Sequence, residues 1–275
     1  MDGEVTGPAL VALRCRTSDR SAGSGKGVEA LAAELAGRLG APPRIIGSPQ
    51  EPTVQGFQAD LAASRGCLLE AGGQVDDALV AGRVPVLLAG HCTVSLTTLP
   101  AVARRRPDAK VLWLDAHGDF NTPDTTPSGF LGGMCLAGAC GRWDPGLGQE
   151  PAFPPERLVL CGVRELDGPE RDALERSTAT VIGAALETLV YLQNALDGAA
   201  VYVHLDLDVL DPAVMPAEFP APGGLTQDKL YDLLDAVADS CEVVGLEVTC
   251  LEDPARAALV ADTVGPLLDG GQSRE

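Results

Sequence analysis

The stretch VYVHLDLDVLDP (Val201–Pro212) is apolar at most positions as far as Val209, but His204, Asp206 and Asp208 recur at alternate places within it. A strand with one face in water alternates apolar and polar residues along its whole length. This run instead begins apolar on both faces, the pattern of a strand buried within a parallel sheet. The carboxylates arrive only toward its end, where Asp211-Pro212 closes a turn.

Similar runs recur along the chain. Leu10–Cys15, Val84–Ala89, Lys110–Asp115, Arg157–Val163 and Cys241–Val248 join Val201–Val209 as strands, with weaker ones at Arg44–Ile46 and Thr180–Ile182. Helical periodicity marks Gly27–Gly40, Phe57–Ala81, Gly168–Ser177 and Thr226–Asp239. Alternation of this kind predicts an α/β chain: a single three-layer αβα domain over residues 1–275, with a mostly parallel central sheet. Gly141–Pro155, rich in Pro and Gly, reads as a surface loop, and GGQSRE (Gly270–Glu275) as a frayed tail.

Thirty-nine acidic against 20 basic residues leave a net charge of −19, which excludes a binder of nucleic-acid phosphates. No apolar run reaches membrane-spanning length, and MDGEVTGPAL lacks the basic start and long apolar segment of a signal peptide. Eight cysteines, scattered without CxxC pairs, suggest reduced thiols in a cytoplasmic protein. SAGSGKG (Ser21–Gly27) superficially suggests a phosphate loop, but GxxxxGK[ST] is not satisfied.

Functional groups of open parallel sheets collect where strands end. Three predicted strands end in chemistry: LLAGHC (Leu87–Cys92), VLWLDAHGDFN (Val111–Asn121) and the opening stretch. Asp115, His117 and Asp119 alternate as they leave a strand, which turns them to one side. Mutually repelling carboxylates at the end of an apolar strand need a cation, and two such runs suggest two ions of a hard or borderline metal.

DAHGDFN followed by HLDLDVLDP resembles the arginase family, or ureohydrolases, from about Val84 to Pro254. The resemblance implies a binuclear manganese enzyme that hydrolyses guanidino groups. It makes Asp115 and Asp206 bridging ligands, with Asp119 on the first metal, and His117 and Asp208 on the second. The family's first ligand is a histidine in a Gly-Gly-Asp-His-Ser turn. Laid without gaps over AGHCT, that histidine falls on Cys92, whose thiolate would serve as ligand; a one-residue shift would make His91 the ligand instead. Thiolate ligation leaves zinc or iron open beside manganese.

Two further departures concern catalysis. The family's proton-shuttling histidine falls on Gly132, and its neighbouring asparagine on Phe130. His204, in phase with Asp206 and Asp208, is expected either to replace the shuttle or to be a strand histidine bonded to a carboxylate. The guanidinium-binding glutamate falls on Cys250, with Glu247 and Glu252 as nearby alternatives; Glu247 is the expected replacement. The substrate's α end is better matched. Asn121, Thr126 and Ser128 stand where the family holds an α-carboxylate, and Asp167 and Glu170 where it holds an α-amino group, an arrangement the agmatinase branch lacks.

The expected partner is therefore a small guanidino amino acid, with Asp119 steering the attacking water and taking its proton. A changed reacting end favours a modified guanidino group: N-hydroxy-arginine giving ornithine and hydroxyurea, as in family members of antibiotic biosynthesis. Plain arginine, or a catalytically degenerate structural role, is the alternative. Relatives are commonly trimers or hexamers, so a homo-oligomer is expected from the resemblance.

Overall fold

In the computed structural model, which describes residues 7–184 and 188–268, every strand runs parallel to its neighbours in one sheet. The strands are β1 (Ala9–Leu13), β2 (Arg44–Ile46), β3 (Pro85–Leu88), β4 (Lys110–Leu114), β5 (Leu158–Cys161), β6 (Thr180–Ile182), β7 (Ala200–Asp206) and β8 (Glu242–Thr249). Their order is β2-β1-β3-β8-β7-β4-β5-β6. The expected tail Gly270–Glu275 lies outside the described residues.

Helices cover both faces, as buried parallel strands require. On one face α1 (Gly23–Leu39), α6 (Thr188–Leu196), α7 (Gln227–Ser240) and α8 (Ala257–Leu268) pack on Leu112, Leu205 and Val248. On the other, α2 (Phe57–Val80), α3 (Ser95–Arg105), the short α4 (Cys135–Ala139) and α5 (Gly168–Glu175) close over Val111, Trp113 and Tyr202. The first core contains no aromatic side chain, while the second holds Trp113, Phe120, Phe153 and Tyr202 among its aliphatic residues. Thr226 caps α7 by accepting the Lys229 N–H at 3.3 Å, so this helix begins at Gln227. None of the described helices is long and apolar enough to cross a membrane.

Three expectations change. The strand expected over Val201–Val209 stops at Asp206, because the Asp206 carboxylate accepts the Asp208 N–H at 2.8 Å and turns Leu207–Val209 into a 3₁₀ turn. The strand expected to reach Asp115 stops at Leu114, so Asp115, His117 and Asp119 converge through a loop, not through strand alternation. The expectation of wholly reduced thiols also fails. Cys15, just beyond β1, and Cys67 on α2 form a disulfide with a Cα separation of 5.8 Å, while the other six cysteines are free.

Candidate metal centre and substrate pocket

The register of the sheet builds the site row by row. Trp113, His204 and Glu247 are aligned across β4, β7 and β8, and one step on, Asp206 is aligned with Thr249. Side chains two apart on a strand share a face, so Tyr202, His204 and Asp206 all point to the side covered by α2, α3 and α4. Gly245 belongs to this design: a Cβ there would lie 2.5 Å from the Tyr202 ring.

Four adjacent strands end at one place: β4 and β7 deliver the carboxylates, β3 delivers His91 and Cys92, and β8 delivers Cys250. Asp115, Asp119, Asp206 and Asp208 are all buried, and Cys92 is 1% exposed. Cys92 Sγ lies 2.6 Å from Asp206 Oδ2 and 3.9 Å from Cys250 Sγ. His117 Nδ1 lies 2.9 Å from Asp208 Oδ2 and 3.4 Å from Asp115 Oδ1. Backbone N–H groups lock the carboxylates: Ala116 donates to Asp208 at 3.0 Å and His117 to Asp115 at 2.7 Å. Asp119 has φ of +48° and Cys250 +61°; such strained non-glycine backbone collects at functional sites.

Burial, then the neighbouring Asp208, pushes Asp115 up to about 6. Burial and Asp115 raise Asp119 well above the carboxylate range, and burial with Asp208 does the same to Asp206. For His117 burial acts downward, but its bonds to Asp115 and Asp208 outweigh it and push it up to about 12. Carboxyls pushed up by burial and by one another, beside an Asp208 that, against its own burial, His117 draws down, are a crowding that a positive ion would relieve. The donors fit that role. One ligand atom each from Asp115, His117 and Asp208 lie within 4.8 Å of one another, and so do those of Cys92, Asp115 and His204.

Of the two adjacent candidates, Cys92 faces Asp206. His91 lies in the pocket wall, edge-on to Phe130 with ring centroids 4.8 Å apart, and its Nδ1 accepts the Cys92 N–H at 3.0 Å. A ligand atom of His91 nevertheless falls within 4.8 Å of those of Cys92 and Cys250. The His91–Phe130 pair also accounts for Gly132, where a Cβ would lie 2.5 Å from Phe130 and 2.7 Å from His91. There is no room there for the shuttle histidine.

A pocket of about 260 Å³ opens over this cluster. Asp115, Asp119, Asp206 and Asp208 line it together with Asn121, Thr126, Ser128, Asp167 and Glu170. Asn121 Nδ2 donates to Asp167 Oδ2 at 3.0 Å. The hydroxyls of Thr126 and Ser128 accept the N–H groups of Gly129 and Phe130, at 3.1 and 3.2 Å, so they shape their own loop. Glu170 accepts the N–H groups of Phe120 and Asp167, at 2.8 and 3.3 Å. Both Glu170 oxygens are thereby engaged, and it holds the α5 start against the Asp119 loop.

Of the two expectations for His204, the strand histidine bonded to a carboxylate is the one met, and Glu247 is placed differently from expectation. Both are fully buried behind the carboxylates, and neither lines the pocket. Glu247 is occupied by His204 Nδ1 at 2.6 Å and by the Tyr202 hydroxyl at 2.8 Å, so it is not free to meet a guanidinium. Glu252 turns to the Ser21 hydroxyl at the start of α1. Cys250 does line the pocket, in the ungapped position.

Three participants escaped the sequence reading. Glu218 and Phe219 enter the pocket wall from the irregular segment after Asp208, and Glu218 Oε2 is buried without a partner. Cys135 Sγ donates to Asp119 Oδ2 at 3.3 Å. Nothing periodic marks PAEFPAP (Pro216–Pro222), and the Cys135 contact depends on a turn only three dimensions reveal.

Comparison with known proteins agrees with this geometry. Residues 50–262 match the Arginase family. The chain is 34% identical over 272 residues to an N(omega)-hydroxy-L-arginine amidinohydrolase of Streptomyces lavendulae, covering 96% of this chain and 98% of that one. It is 35% identical to an arginase of Bacillus caldovelox over 63% of this chain and 62% of that one. The crystal structure of Bacillus caldovelox arginase superposes with a TM-score of 0.83 at 25% identity, over 98% of this chain and 100% of that one. The chain belongs to the arginase family and is a hydrolase of C–N bonds in linear amidines.

Proposed function

We propose that this protein hydrolyses the guanidino group of an arginine-like amino acid, with N-hydroxy-arginine as its favoured substrate and ornithine and hydroxyurea as products. The observation that carries the reading is the pocket itself, whose single lining joins the buried carboxylates Asp115, Asp119, Asp206 and Asp208 to Asn121, Thr126, Ser128 and Asp167. We assign two divalent cations, manganese with zinc or iron as alternatives, to Cys92, Asp115, His117, Asp119, Asp206 and Asp208. When bound, they would supply an acidified water and electrostatic stabilisation of developing negative charge.

The remaining roles belong to the chain's own groups. Asp119, whose Oδ2 accepts the Cys135 Sγ–H, would orient the attacking water and accept its proton. Amide and hydroxyl donors of Asn121, Thr126 and Ser128 suit an α-carboxylate, and Asp167 suits an α-ammonium. Glu170 acts by fixing Asp167 and the Asp119 loop.

The reacting end supports the hydroxylated substrate. N-hydroxylation lowers the basicity of a guanidine, so less countercharge is needed beside it. Cys250 offers a neutral thiol there, since burial pushes that thiol well above its usual range. The similarity to a hydroxyarginine amidinohydrolase over nearly the whole chain favours the same substrate. Incubating metal-loaded protein with N-hydroxy-arginine should release ornithine and hydroxyurea in equal amounts, and chelation should stop it. Ornithine appearing only from arginine would make plain arginase activity the correct reading.

A further inference from the structure

His204 has no exposed surface, and its surroundings specify its hydrogen atoms. Nδ1 lies 2.6 Å from Glu247 Oε1. The other oxygen, Oε2, accepts the Tyr202 hydroxyl at 2.8 Å; burial and Glu247 push that phenol well above its usual range, so it keeps its proton and donates. A carboxylate engaged in this way takes the Nδ1 proton as its second hydrogen bond. The network therefore assigns the Nδ1–H tautomer and leaves Nε2 with a bare lone pair.

That lone pair is buried and has no partner. Leaving a buried acceptor unsatisfied is costly, yet here the ring is held firmly in that position. It stacks on Trp113 with centroids 3.5 Å apart and 4° between the planes. Trp113 in turn donates its Nε1–H to Asp115 Oδ2 at 3.0 Å. One ring nitrogen of His204, Cys92 Sγ and an Asp115 oxygen lie within 4.8 Å of one another. Two donors sharing one ion stand no farther apart than about twice a metal–ligand bond, roughly 4.6 Å for zinc and sulfur, so the group is close to a coordination set as it stands.

We infer that His204 Nε2 is an additional ligand of the first metal, completing a Tyr202–Glu247–His204–metal relay at the Cys92 end of the cluster. This rests on the binuclear-metal reading above. A ligating imidazole commonly donates its second N–H to a carboxylate, which fixes the ring and raises the basicity of the coordinating nitrogen. Cys92 replaces an imidazole at the end of β3, and His204 returns one from β7. His204 is then no proton shuttle, because its only free nitrogen is committed to the ion and the residue does not line the pocket.

Only three histidines, His91, His117 and His204, occur in the chain, so each imidazole can be observed separately. The full-length protein labelled with ¹⁵N-histidine and loaded with ¹¹³Cd²⁺ should show ¹¹³Cd–¹⁵N coupling at His204 Nε2 as well as at His117. By metal titration, Glu247→Gln should weaken one of two sites by about 10–100-fold, and His204→Gln should weaken the same site by more. Cadmium binding with coupling at His117 and an unsplit His204 Nε2 would overturn the inference while leaving the metal centre intact. Failure of the wild-type protein to bind cadmium, manganese or zinc at all would overturn both.

Discussion

Cys92 sits 2.6 Å from the carboxylate of Asp206 with no solvent contact to speak of, so its substitution separates the roles of the two adjacent candidates. Burial first, then Cys250 and Asp206, push the thiol well above its usual range, and a bound cation is what would draw its proton off. Cys92→Ser should lower the affinity of one metal site by at least about tenfold, since a neutral hydroxyl is a poorer ligand, and calorimetric metal titration measures this. His91→Ala should be much milder. The reverse outcome, metal lost with His91→Ala and kept with Cys92→Ser, would make the histidine the ligand. Elsewhere in the pocket lining, Asp167→Asn should raise KM for an amino-acid substrate by about tenfold, the worth of one charge-assisted hydrogen bond, with metal content unchanged. Metal loss in that variant would show Asp167 to be structural. The chain's alternating carboxylates were legible as a converging cluster because nothing about packing calls for them at a strand end, and the structure buries them around one pocket. A role for His204 or Glu247 at the substrate was not decidable, because position along a strand does not reveal which row of a sheet opens to the pocket and which is sealed behind it.

Elements carry their own tests. Asp76 on α2 joins both Arg104 and Arg105 of α3, each through an N–H···O contact of 2.7 Å. The bond to Arg105, opposed by slight burial and aided by Arg104, holds the Asp76 carboxyl below its ordinary 3.8. A carboxyl depressed on folding stabilises fully above its unfolded value and loses that contribution as pH falls through the lower folded one. Asp76→Asn should therefore cost about 0.5–1 kcal/mol at neutral pH and low salt. Urea unfolding over a pH series should show the gap from wild type closing only below 3.8; an equal gap in strong acid would disprove the ion-pair account. The Cys15–Cys67 disulfide, spanning 52 residues, should contribute about 3–4 kcal/mol by restricting the unfolded chain. Reductant should lower the urea midpoint of wild type and leave that of Cys67→Ser unmoved, whereas equal shifts in both would place the effect elsewhere. Strands were readable as apolar runs, including the short edges β2 and β6, and four helices from their periodicity. The helix α3 was not, for Pro100 interrupts its pattern and its Ser- and Thr-rich start is buried. The disulfide partners lie on separate elements with no spacing motif to announce them.

At the scale of the whole molecule, the site exists because the strand order places β3, β8, β7 and β4 side by side, gathering residues from Cys92 to Cys250. The fold class followed from strand–helix alternation, and the motifs at strand ends pointed to the family before any coordinate. What the linear chain could not convey was the closing of the pocket by Glu218 and Phe219, which depends on how an irregular segment returns over the sheet. The central claim is that this pocket retains α-amino-acid recognition while its reacting end has shifted toward a less basic guanidine. The most direct test is to measure kcat/KM for N-hydroxy-arginine, arginine and agmatine on one manganese-loaded preparation at neutral pH. The account predicts the highest value for N-hydroxy-arginine, above arginine by at least about tenfold, or 1.4 kcal/mol of transition-state stabilisation, with agmatine far below both. Agmatine turned over as well as the amino acids, or arginine preferred over its hydroxylated form, would contradict it.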